Sequence, residues 1–160
     1  MEFFKLVAKD RDLMGLPWRV AFALQEDGWI LQSKITWIKK TAMPESVKNR
    51  PTNATEEIFL FSKSPTYYYD AKAVRVETGA NLRNYWVLGP DPNNSDHPAA
   101  FPRKLARKCI LLGSRERDWV LDPFGGSGTT GIVANQLCRN ALLIELNADY
   151  VECAKGRGQV

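Results

Sequence analysis

Hydrophobic positions change their rhythm near the C-terminal end of the chain. Trp119-Val120-Leu121 is a short apolar run ending in Asp122 and Pro123-Phe124. Gly125-Gly126-Ser127-Gly128-Thr129-Thr130-Gly131 follows, then a helical run from Ile132 to Leu137. A second apolar run, Ala141-Leu142-Leu143-Ile144, ends in Glu145. Strand, glycine turn, helix, strand and acid in that order predict one βαβ unit. Few residues remain after Glu145, too few for the other strands of a doubly wound sheet, so those strands are expected upstream.

The upstream pattern supplies them. Gly15-Leu16-Pro17 introduces the apolar segment Trp18 to Leu24, which predicts a largely buried helix closed by Asp27-Gly28. Trp29 through Ile38 is apolar at both ends and β-branched within, as a strand would be. Core packing is expected of Trp18, Trp29 and Trp37. Lys39 to Ala54 is a loop by its prolines, asparagines and basic residues, and Glu57 to Lys63 reads as a second strand. Ser64-Pro65-Thr66 predicts a hairpin turn into a third strand at Tyr67-Tyr68-Tyr69. Residues 73–96 show no sustained period and read as a linker, with Trp86-Val87-Leu88 as one short strand. Pro102 suits a first helical turn, Lys104 to Leu112 continue the helix, and Gly113 ends it.

At 160 residues and 44% hydrophobic content, the chain is expected to form a single domain. Residues 1–72 make one half, with the hairpin, and residues 97–160 a cofactor-binding half. No apolar run reaches the length of a membrane span, and no secretory signal pattern opens the chain. Cys109, Cys138 and Cys153 have no metal-ligand spacing, so no metal site is expected; reduced, partly buried thiols and a cytoplasmic location are. The net charge of +4 permits a nucleic-acid partner without demanding one.

Glycines let backbone approach a ligand closely, and a helix start offers free N–H groups to an anion. An acid ending the second strand, here Glu145, can accept hydrogen bonds from both hydroxyls of a ribose. A Walker A loop needs Lys before Ser or Thr at the helix start, and none stands there. Gly126-x-Gly128-x-x-Gly131, with Glu145 downstream, matches the dinucleotide fingerprint, but such a match alone is weak. Asp122 separates the alternatives. A carboxylate is unwelcome beside pyrophosphate and suits a ligand end that carries positive charge.

Asp122-Pro123-Phe124-Gly125-Gly126-Ser127-Gly128-Thr129-Thr130 resembles the S-adenosylmethionine motif of amino-group DNA methyltransferases, those modifying adenine N6 or cytosine N4. His97-Pro98-Ala99-Ala100-Phe101-Pro102 resembles the motif preceding the cofactor strand in the permuted β group of that family. Trp37, Lys39 and Met43 to Ser46 match a further family pattern, and the likeness covers about residues 13–155. It implies an α/β, Rossmann-like S-adenosylmethionine-dependent methyltransferase sheet, incomplete and in permuted order. It implies cofactor contacts from His97, Phe101, Asp122, Pro123, Phe124, Gly126, Ser127, Gly128, Thr129, Thr130 and Glu145. Double-stranded DNA is the implied partner, with Lys39, Lys40, Lys48 and Arg50 as phosphate contacts or as a merely solvated loop.

The chain departs from the family pattern in several places. Thr55 and Glu57 stand where His and Tyr are common, and Lys40 replaces a common Pro. The family's catalytic signature is Asp, Asn or Ser, then Pro-Pro and an aromatic residue; this chain has nine prolines and no two adjacent. Ser64-Pro65-Thr66-Tyr67 is the nearest sequence. Such enzymes flip the target base out and align its amine for direct displacement. In the permuted order the signature lies upstream of Gly15, so the chain is expected to be a methyltransferase truncated at its N-terminus, with no catalytic residue of its own. An active enzyme, a silent remnant or split-enzyme half, and a dinucleotide-binding protein are the alternatives. Self-association through an exposed sheet edge is a further expectation of truncation.

Overall fold

A computed structural model describes residues 12–75, 79–91 and 101–157. The elements are α1 (Leu16–Glu26), β1 (Ile30–Lys39), β2 (Thr55–Ser62), a 3-10 turn (Lys72–Val74), β3 (Tyr85–Leu88), α2 (Arg103–Gly113), β4 (Trp119–Asp122), α3 (Thr129–Gln136), β5 (Asn140–Leu143) and α4 (Ala148–Gly156). The chain is α/β, with one sheet in the order β2-β1-β3 and a second pairing β4 with β5. Contacts group into two units: Met1–Ile35 with Glu57–Tyr67, and Thr36–Glu56 with Tyr68–Val160.

In the first unit, Gly15 opens α1 at φ +61° and Pro17 occupies its first turn. The Asp27 N–H closes the helix on the Ala23 carbonyl, and Gly28 leaves it at φ +88°. The boundaries follow the sequence, but the burial does not. Ala21 is the buried residue of α1, whereas Leu16, Val20 and Phe22 are at least half exposed. Apolar residues occupy more than one side of this helix. The side carrying Trp18 packs, its ring meeting Phe59 edge-on at 4.9 Å. Trp18 is nonetheless 38% exposed, and Trp29 is half-buried beneath the Lys63 ammonium, 3.9 Å from its ring. Of the three tryptophans expected in a core, only Trp37 is buried.

β1 runs from this unit into the second. Gln32 donates to Ser62 at 2.9 Å near one end and the Lys39 N–H reaches the Ala54 carbonyl at the other, so β1 and β2 run antiparallel. The expected third strand at Tyr67–Tyr69 does not form. Ser62 and Ser64 hydroxyls donate to the Ser64 and Thr66 carbonyls, which turns the chain out of the ladder. The Asp70 N–H then bonds Leu112 at the end of α2, and the Arg115 guanidinium sits 4.1 Å over the Tyr68 ring.

In the second unit β1 gains a parallel partner in β3, with Thr36 opposite Tyr85 and Lys39 opposite Leu88. Trp37, Trp86 and Leu88 are buried there, and the Trp37 indole donates to the Leu88 carbonyl at 3.2 Å. The predicted βαβ unit forms. β4 and β5 are parallel, with Trp119 opposite Asn140 and Asp122 opposite Leu143. Ala106 and Ile110 of α2 pack with Val133, Ala134 and Leu137, and Val120 and Ala141 of the strands lie against them. That covers one face. On alternate positions Trp119 is 72% and Leu121 59% exposed, and Leu142 and Ile144 are also exposed, so β4 is covered on one face only, unlike parallel strands buried on both. The three cysteines are free; Cys138 and Cys153 are exposed rather than partly buried, while burial pushes the Cys109 thiol up to about 11. No helix among the described residues is long and apolar enough to cross a membrane.

Candidate functional site

The site begins where β4 stops. Asp122 accepts the Phe124 N–H at 3.0 Å on one carboxylate oxygen and the Thr130 hydroxyl at 2.5 Å on the other. It thereby ties the strand end to the first turn of α3 and fixes the intervening loop. Pro123 and Phe124 sit at the surface, Phe124 86% exposed. The Gly125 N–H bonds the Ile144 carbonyl at 2.9 Å. A Cβ on Gly125 would stand 2.9 Å from Leu143 Cβ, so the loop lies on β5 too closely for any side chain there. Gly126 and Gly128 have φ of +52° and +85°, the left-handed region that favours glycine. Between them Ser127 is buried, as are Thr129 and Thr130 in the helix start.

Glu145 faces this loop. One carboxylate oxygen accepts the Gly126 N–H at 2.8 Å and the other the Asn147 N–H at 2.9 Å. These bonds, Asn147 first and Gly126 second, hold its carboxyl below the ordinary value of 4.5, so the acid is ionised near neutral pH. A cavity of about 460 Å³ opens beside the carboxylate, walled by Gly125, Gly126 and Glu145 on one side and by Val151, Ala154 and Lys155 of α4 on the other. Sequence reasoning missed Gly125 and all of α4. The signal was Asn147 two residues before Asp149: the Asn147 side chain accepts the Asp149 N–H at 2.9 Å as a helix cap.

The other expected residues are placed elsewhere. Phe101 packs against the α2–α3 core and lines a separate cavity of about 660 Å³ with Trp37, Lys39, Met43 and Glu56, not the cavity at the glycine loop. His97 lies outside the described residues. In the basic loop Lys39 pairs with Glu56 at 2.5 Å and Arg50 with Glu45 at 2.7 Å. Lys40 and Lys48 are exposed, with no ion pair among the described residues. No cluster of three His, Cys, Asp or Glu suited to a metal occurs among the described residues.

A strand–glycine loop–helix–strand unit with an ionised acid at the second strand end is an arrangement found in nucleotide-binding α/β proteins. The N6/N4 methyltransferase family model, described as DNA methylase, matches residues 3–156, and the chain belongs to that family. The type II methyltransferase M.Cfr9I of Citrobacter freundii is 51% identical over 155 residues, 94% of this chain and 52% of that protein. M.SmaI of Serratia marcescens is 48% identical over 93% of this chain and 53% of its own length. The chain therefore spans about half the length of the curated relatives it matches. Among solved structures, PvuII DNA methyltransferase, described as cytosine-N4-specific, shares the fold with a TM-score of 0.81 over 97% of this chain and 60% of that one, at 23% identity. M1.HpyAVI in complex with SAM has a TM-score of 0.71 and 30% identity, covering 89% of this chain and 68% of that one.

Proposed function

We propose that this chain is the S-adenosylmethionine-binding portion of a DNA methyltransferase acting on an exocyclic amine, adenine N6 or cytosine N4. The observation that carries the reading is the Glu145 carboxylate, ionised and 2.8 Å from the Gly126 amide beside an open cavity. The residues present fit the cofactor. The cavity is of ligand-site size, Glu145 keeps free lone pairs for ribose hydroxyls, and no lysine stands at the α3 start to favour a triphosphate. When bound, the cofactor supplies an electrophilic methyl group. The chain's own part is to bind and orient: Glu145 toward the ribose, the glycine loop as a close backbone wall, and Asp122 as the brace that fixes it. Gly125 and Gly126 of the loop line the cavity, while Ser127, Gly128, Thr129 and Thr130 form the buried turn into α3 and Pro123 and Phe124 lie exposed before it. A cytoplasmic location fits bacterial type II relatives.

Calorimetry with S-adenosylmethionine, its demethylated product and NAD tests the assignment. Preference for NAD would sink it, and Asp122→Ala is expected to weaken binding by loosening the loop. No adjacent prolines occur in the sequence, which favours a second reading: this chain alone binds cofactor without transferring methyl groups. Tritiated methyl incorporation into DNA should be absent for the chain alone and appear with a fragment carrying the Pro-Pro signature; robust transfer by the chain alone would refute this. The open apolar face of Trp119, Leu121, Leu142 and Ile144 supports association with that fragment or, in its absence, with a second copy. A monomer on sizing at high concentration would refute the latter.

A further inference from the structure

We propose that Arg157, at the C-terminal end of α4, is a positioning residue that holds the glycine loop in its ligand-ready shape. Its Nη1 donates to both the Ser127 carbonyl, at 2.9 Å, and the Ser127 hydroxyl, at 3.0 Å. Ser127 is 6% exposed and Arg157 is half-buried, so water competes poorly for either bond. Ser127 stands between Gly126 and Gly128, both at positive φ, where the backbone is least restrained by its own side chains.

Three consecutive residues of this loop, Gly125, Gly126 and Ser127, are held by the segment that follows β5. The Gly125 N–H bonds the Ile144 carbonyl, the Gly126 N–H bonds Glu145, and Ser127 is held by Arg157. Glu145 is in turn fixed by the Asn147 N–H, and Asn147 caps α4. The segment from Glu145 to Arg157 thus holds the loop at two points, through the acid that precedes α4 and the guanidinium that follows it. The same helix supplies Val151, Ala154 and Lys155 to the cavity wall. A guanidinium suits this task because its charge persists at any working pH and its planar donors are pre-oriented. Holding the empty loop in shape lowers the ordering cost that a ligand would otherwise meet.

The consequence for binding rests on the proposed cofactor site, whereas the restraint on the loop does not, so two measurements separate them. In ligand-free Arg157→Ala, amide hydrogen exchange at Gly126, Ser127 and Gly128 is expected to rise about tenfold, from the loss of one charged donor group that both Ser127 oxygens share, while Ile110, Val133 and Ala134 stay as in the wild type. Affinity for S-adenosylhomocysteine is expected to fall about tenfold on the same grounds, and Arg157→Lys, which keeps a cationic donor, to recover part of both. Unchanged loop exchange, or a rise spread equally through the α2–α3 core, overturns the proposal. Wild-type binding that Arg157→Ala leaves intact overturns it too, with the functional reading still standing. Wild-type protein that binds no S-adenosylhomocysteine sinks the cofactor reading, and the exchange result still decides the restraint.

Discussion

The brace between Asp122 and Thr130 yields a prediction in which two substitutions at one position separate a hydrogen bond from packing. The Thr130 hydroxyl donates to Asp122 at 2.5 Å, and Thr130 is 9% exposed in the first turn of α3. Thr130→Val keeps the branched shape and deletes the donor; Thr130→Ser keeps the donor and deletes a methyl. A hydrogen bond to a charged group contributes about 1.5–3 kcal/mol. Asp122 retains the Phe124 N–H and is only half-buried, so water compensates part of the loss and the lower end, about 1.5 kcal/mol, is expected. Thr130→Ser loses one methyl, about 1 kcal/mol or less. In urea unfolding followed by circular dichroism, Thr130→Val should lower the midpoint more than Thr130→Ser, with an unchanged slope. Thermal melting should follow, at about 2–4 °C per kcal/mol. If Thr130→Ser is as destabilised as Thr130→Val, the position matters for packing and the brace is idle.

Gly125→Ala is expected to cost about 1–3 kcal/mol, as overpacking does, because its Cβ would meet Leu143 Cβ at 2.9 Å; a variant as stable as the wild type in the same unfolding assay would show that β5 yields easily. Glu145 is ionised in the fold below its ordinary value of 4.5, so its stabilisation is present above that value and lost as pH falls through the depressed one. Glu145→Gln should flatten that acid limb in melting temperature against pH, and parallel curves would refute the assignment. In DNA binding, changing Lys40 and Lys48 together to Ala should reduce the salt slope by about 2, close to one per phosphate contact. Changing Lys39 and Arg50, already engaged by Glu56 and Glu45, should reduce it less, and the reverse order would refute the ion pairs as competitors.

What the sequence determined was local. The glycine turn, the flanking apolar runs and the acid after the second run fixed the βαβ unit, because loop backbone at positive φ and strand burial are written in short windows. β1, β2, β3 and α2 were legible for the same reason, to within a residue or two at their ends. Burial was not legible, because it depends on which neighbour arrives. Trp119 and Leu121 read like Val120, yet α2 and α3 cover only the Val120 side. The apolar residues of α1 likewise exceed what Trp18 and Phe59 can cover. Tyr67 to Tyr69 had strand composition, but serine hydroxyl bonds and the Asp70 link to α2 diverted the backbone first. At the site, residue types named Glu145 and Asp122, while only the tertiary structure assigned their present partners: Gly126 and Asn147 for the first, Phe124 and Thr130 for the second. The grip of Arg157 on Ser127 spans thirty positions of chain, and no local pattern encodes a contact between residues so far apart.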